Sequence, residues 1–260
     1  MEANYLRITC QRMLTSKKFL WIIVYILILP FIILRMNDWS VDSNIWNGVF
    51  FIFGNRYIYL LLIVPVFLIF LFDLANEGNL RYCAGRLVTK VSMIKVHIKA
   101  MIIHSLFLTI YVFGVVLLEA VFILGGTSVW SDETKAGHDP YTLFSLDLSP
   151  IIVISLFAIK FFLTLIFLGS FYLYWQSKTK RQYSSLGMSI IFFLLLFNAI
   201  VNFYNLPVFN ILDLSFVSIY YLNLHENSLL LHLLMSHLPL TILSIGLLIF
   251  SLHLSKGVNF

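Results

Sequence analysis

PIIVISLFAIKFFLTLIFLGSFYLYW, from Pro150 to Trp175, contains a single charged residue, Lys160. A helix rises 1.5 Å per residue, so a run of this length crosses about 30 Å of hydrocarbon with residues to spare. The rest of the chain agrees with that reading. It is 60% hydrophobic and 11% charged, with a mean hydropathy of +0.94. Soluble domains carry about 25% charged residues. Lipid must therefore be the solvent for this surface, and the chain reads as an integral membrane protein.

Outward from this run, six spans are expected: Phe19–Leu34, Tyr57–Phe72, Ala100–Leu124, Pro150–Trp175, Leu186–Tyr204 and Leu229–Leu252. The first two are short, and Arg35 and Arg56 at their edges can snorkel outward. Pro30 and Pro65 are expected to bend them. The fold class is thus all-α, a polytopic membrane protein, with residues 1–260 forming a single transmembrane domain. No internal repeat, low-complexity tract or second soluble domain is seen.

Charge sets the orientation. With the N-terminus inside, the inner segments hold Arg7, Arg12, Lys17, Lys18, Arg81, Arg86, Lys90, Lys95, Lys99, Lys178, Lys180, Arg181 and Lys256. The outer segments hold only Arg35, Arg56 and Lys135. Both termini are therefore expected in the cytosol, with the protein in the plasma membrane. Cys10 and Cys83 fall on that side and read as free thiols. The net charge of +5 belongs to this asymmetry, and no nucleic-acid partner is expected.

Residues 1–18 lack a signal-peptide cleavage pattern. Leu6, Cys10, Met13, Leu14 and Lys17 share one helical face, and Arg7, Gln11 and Lys18 another. This reads as an amphipathic helix at the inner interface. Outside, NGVFFIFGNR (47–56) reads as a segment resting on the outer surface. Residues 205–228 are too polar to span and too apolar to float free, and read as short interfacial or re-entrant helices.

The longest inner segment is 73–99. Leu80, Ala84, Leu87, Val88 and Val91 line one face of a helix there, while Arg81, Arg86 and Lys90 point elsewhere. Asp73 or Asn76 can cap its start, Glu77 suits a helix N-terminus and Gly78 permits a sharp turn. Such a helix fits two roles: lying on anionic lipid, or docking an apolar ridge into a cytosolic partner.

The run Glu77-Gly78-Asn79-Leu80-Arg81, then Gly85-Arg86, Lys90 and a further Lys at 95 or 99, resembles the first cytosolic loop of type-2 ABC exporter permeases. Asn79 stands where Thr is usual, and Leu87 where Pro often follows the Arg. The resemblance extends over nearly the whole chain as architecture: an interfacial N-terminal helix, six spans, a coupling helix between spans two and three, and short outer helices between spans five and six. It implies a permease subunit without its own ATPase. Two copies, or one with a sister permease, would form the pathway above separate cytosolic ATPase subunits. Glu77, Gly78, Asn79, Leu80, Arg81, Ala84, Arg86, Leu87 and Val88 would couple to those subunits. The chain has no Gly-x-x-x-x-Gly-Lys-Ser/Thr phosphate loop. ATP and Mg are therefore expected on the partner, and no cofactor in this chain. The implied cargo is amphipathic, with antimicrobial or bacteriocin-like peptides (export or immunity) ahead of drugs or lipids.

Two charges fall within spans. Lys160 sits about 15 Å into the fourth, and Glu119 near the outer end of the third. Intramembrane charges mark functional sites by default, and Glu119 is the expected partner of Lys160. They could fix neighbouring helices or line a pathway. The seven histidines include no His-x-x-His or Glu-x-x-His pair, so neither metal nor haem is expected. A membrane-embedded enzyme or processing factor is the alternative class. It would have to draw on Glu119, Lys160 and the His232/His237 face.

Overall fold

The computed structural model describes residues 2–39, 41–54, 58, 90–126, 129, 149–178, 187, 189–191, 193 and 229–256. Among them there are helices and no strands. The long elements are α1 (Glu2–Leu14), α2 (Lys17–Met36), α3 (Ile45–Gly54), α4 (Lys90–Leu124), α5 (Pro150–Lys178) and α6 (Leu229–Leu254). Four of them, α2, α4, α5 and α6, are long and apolar enough to cross a membrane.

The first break is chemical. Thr15 donates both its amide and its hydroxyl to the Gln11 carbonyl, at 3.0 and 2.9 Å, closing α1. Ser16 then takes an extended conformation, and its hydroxyl accepts from the Phe19 amide at 3.1 Å, the N-cap of α2. The chain thus turns between two helices within two residues. α2 has 20 residues and a length of about 30 Å, the thickness of the hydrocarbon core. Ile22, Ile26, Pro30 and Leu34, four apart, face the core, while Leu20, Trp21, Ile28 and Ile32 stay exposed as a lipid-facing surface would.

α3 corrects the sequence reading. Rather than resting on the surface, it is packed into the bundle, with Ile45, Trp46, Val49, Ile52 and Phe53 all buried. Gly48 makes this possible. A Cβ there would lie 2.9 Å from Leu124 Cδ1, 3.2 Å from Leu34 Cδ2 and 3.3 Å from Ala120 Cβ. The missing side chain lets α3 seat against α2 and α4 together.

α4 also departs from expectation. It begins at Lys90 rather than Ala100, so residues 90–99 of the expected loop are helical. No Gly or Pro interrupts 90–113, and Lys95 and Lys99 lie on an exposed face while Val96, His97 and Ala100 are buried. With 35 residues the helix is about 52 Å long and outruns a hydrocarbon core.

Side-chain contacts fix the helix directions. Phe19 meets Phe107 at 5.6 Å, the Tyr111 hydroxyl bonds the Ile23 carbonyl at 3.2 Å, and Gly48 bridges Leu34 and Leu124. α2 and α4 are therefore parallel. Phe113 meets Phe161 at 5.7 Å, and Met101 packs with Leu173, so α5 runs antiparallel to α4. His237 Nε2 lies 3.5 Å from the Leu156 carbonyl, and Leu248 packs near Leu173, so α6 runs parallel to α5. One end of the bundle, the Lys17 end, collects the starts of α2 and α4 and the ends of α5 and α6. The other, the Gly48 end, collects the opposite termini together with α3. By backbone position Lys17, Lys18, Lys90, Lys95, Lys99, Lys178 and Lys256 lie towards the Lys17 end, and Arg35, Asp38 and Asp42 at the Gly48 end. The expected segments 73–89 and 205–228, and most of the runs Tyr57–Phe72 and Leu186–Tyr204, lie outside the described residues.

Candidate functional site

The polar groups inside the bundle concentrate on α4 and α5. Lys160 is wholly buried, one residue from Phe161, whose ring packs on Phe113 of α4. It therefore sits near the middle of the span, as its distance from Pro150 implies. Thr164, one turn further along α5, is buried as well. Glu119 lies further along α4 towards the Gly48 end, about 8 Å beyond the level of Lys160 at 1.5 Å per residue. Among the described residues no ion pair joins Glu119 to Lys160, and Glu119 Oε2 is buried without a hydrogen-bond partner.

Glu119 extends a stripe. His97, His104 and Ser105 are buried on the same side of α4, within about 100° of arc together with Glu119 at 100° per residue. Met101, Leu108, Val112 and Val115 fill the rest of that face. His104 Nδ1 lies 2.7 Å from the Ala100 carbonyl, and the Thr109 hydroxyl donates to the Ser105 carbonyl at 2.7 Å. Neither ring nitrogen of His97 has a hydrogen-bond partner, nor has the Ser105 hydroxyl. The hydroxyls of Ser170, Ser244 and Ser251 behave differently, each bonding back to the carbonyl four residues earlier at 2.6–2.8 Å.

A buried polar group without a partner costs about 1–3 kcal/mol. Among the described residues the cost falls on one face of α4, the face turned to the bundle interior. Such a face, with a buried cation on the adjacent helix, can meet the polar part of a solute or water when the packing opens. Among the described residues no group of three or more His, Cys, Asp or Glu is placed to hold a metal ion.

Sequence reasoning singled out Lys160 and Glu119 but passed over His97, Ser105, Thr109 and Thr164. His97 falls just ahead of the expected third span, which starts at Ala100. The signal that could have found it is the spacing of His97, Met101, His104 and Leu108, which continues one helical face through the charged segment. The coupling residues Glu77, Gly78, Asn79, Leu80, Arg81, Ala84, Arg86, Leu87 and Val88 lie outside the described residues. No protein-family model, curated protein or solved structure matches the chain.

Proposed function

We propose that this chain is the membrane subunit of an ABC exporter, of the type-2 permease class. The observation that carries the reading is the direction of the helices. α2 and α4 are parallel neighbours, and so are α5 and α6. A chain joining parallel helices has to return across the bundle between them. The apolar runs Tyr57–Phe72 and Leu186–Tyr204 fall in those two intervals, giving six crossings in all. The charge pattern supports the orientation. α2 begins and α6 ends at the Lys-rich end, which the positive-inside rule puts in the cytosol. Residues 73–89 lead into Lys90 at that same end, where a cytosolic ATPase would meet the Glu77–Val88 helix.

On this reading the chain dimerises with a second copy or a sister permease, and its energy arrives mechanically from ATPase subunits that hold ATP and Mg. The cargo is amphipathic: peptides of the antimicrobial or bacteriocin kind first, drugs or lipids second. Support for that step is the compact, greasy bundle with its inward polar stripe. The test is ATP-dependent cargo efflux in vesicles holding the chain and its ATPase. Leu80→Asp and Leu87→Asp should abolish efflux while membrane insertion stays normal. Normal efflux in both variants would overturn the coupling assignment.

A further inference from the structure

At the Gly48 end, the turn from α2 into α3 and the end of α4 enclose an open recess of about 470 Å³. That is an ordinary size for a small-ligand site. Ile123 and Leu124 of α4 line it, with the buried Leu34 of α2 beside them. One wall is Trp39, held in place twice. Its indole N–H donates to the Leu34 carbonyl at 2.7 Å, and its ring packs edge-on against Phe51 at 5.5 Å. Arg35 and Asp38 also line the recess, three residues apart and both exposed. Among the described residues no ion pair joins them.

Three further features define what could occupy it. The recess stands where a 20-residue apolar helix gives way to Arg35, Asn37 and Asp38, the depth of lipid headgroups. Phe31, Ile32, Met36 and Phe122, close by on the same two helices, are exposed and apolar, so the recess lies beside a lipid-facing surface. The last turn of α4 carries no basic residue and its Ile123 and Leu124 line the recess, so the negative end of its dipole stands with Asp38 beside Arg35.

We propose that this recess binds the headgroup of an amine-bearing zwitterionic phospholipid from the leaflet at the Gly48 end. Arg35 takes the phosphate by charge-assisted hydrogen bonds. Asp38 and the terminal carbonyls of α4 take the ammonium, whose N–H donors a quaternary amine lacks. Trp39 flanks the headgroup, and the first acyl carbons follow Ile123 and Leu124 towards the exposed apolar face. An anionic phospholipid without an amine would satisfy Arg35 but set its charge against Asp38 and the α4 terminus. The site does not depend on transport, so it stands or falls separately from the exporter reading.

The test is lipid competition on the purified full chain, read by native mass spectrometry. Equal amounts of phosphatidylethanolamine, phosphatidylcholine and phosphatidylglycerol are supplied, and the retained lipid is identified. Wild type should retain phosphatidylethanolamine preferentially. Arg35→Gln and Asp38→Asn should each weaken that retention about tenfold, the effect of losing one charge-assisted contact, while Arg35→Lys keeps most of it. Both side chains are exposed, so gel filtration and melting temperature should be unchanged. Equal retention of the three lipids by wild type, or undiminished retention in Arg35→Gln and Asp38→Asn, would mean nonspecific annular lipid only and would overturn the proposal.

Discussion

The Tyr111 hydroxyl donates to the Ile23 carbonyl at 3.2 Å, tying α4 to α2 across 88 residues of chain. Phe19 on Phe107 repeats the contact one turn nearer the Lys17 end. The two helices are thereby held side by side and parallel. The Ile23 carbonyl lies within α2 and keeps its helical partner, so the tyrosine bond is an additional one. Tyr111→Phe should cost only about 0.5–1.5 kcal/mol, seen as a small drop in melting temperature in detergent with insertion unchanged. A severe loss would mean that α2 and α4 depend on this bond rather than on their apolar seam.

Gly48 should behave unlike Gly114 and Gly246. Its neighbours Leu124 and Leu34 can swing their methyl ends aside, but Ala120 Cβ, 3.3 Å from the added carbon, is fixed to its helix. Gly48→Ala should be close to neutral, because the gain of about 1 kcal/mol in helix propensity offsets the crowding. Gly48→Leu should expel α3 and abolish a cooperative melt. Gly114→Ala and Gly246→Ala, where an added Cβ meets nothing within 4 Å, should be neutral or stabilising. If Gly48→Leu melts like wild type, the packing of α3 described above is wrong.

Lys160 separates charge from volume. Lys160→Ala leaves a cavity in a wholly buried site and should cost about 2–5 kcal/mol. Lys160→Met keeps the volume and gives up only the polar contacts of the ammonium group, so it should cost less than Lys160→Ala. Cargo efflux should nevertheless fall at least about tenfold in Lys160→Met, the loss of roughly 1.4 kcal/mol of interaction with the solute. Thermal melts and efflux assays on the same preparations decide the point. Full efflux in Lys160→Met would make the lysine structural.

Cys10 reports on α1. Burial pushes its thiol above the ordinary range. A raised value means less thiolate at any given pH, hence slower alkylation. In a Cys83→Ser background, maleimide labelling of Cys10 should rise with pH along a curve shifted upward from that of a free cysteine peptide. Coincident curves would show that α1 is not packed against α4 around Cys10 in the membrane.

The apolar runs made α2, α4, α5 and α6 legible in the sequence, because lipid exposure demands long uninterrupted hydrophobicity. The buried seat of α3 was not legible. NGVFFIFGNR is short and bounded by polar residues, and its burial depends on a tertiary fact, the close approach of Leu34, Ala120 and Leu124 at Gly48. The start of α4 is not legible because Lys90, Lys95 and Lys99 look like loop charges, although a helix longer than the membrane carries such residues beyond it. Glu119 and Lys160 fall in α4 and α5, two of the helices long and apolar enough to cross a membrane. Their offset of about 8 Å follows from helix register, set by contacts such as Phe113 on Phe161.

The most direct measurement is purification of the full chain from its own cells in mild detergent, with ATPase activity assayed on the product, for wild type and a Leu80→Asp/Leu87→Asp double variant. A nucleotide-binding subunit with ATPase activity should accompany the wild-type chain and be lost from the variant, while the variant chain itself remains folded. A wild-type chain that emerges alone, folded and without ATPase activity would contradict the exporter reading.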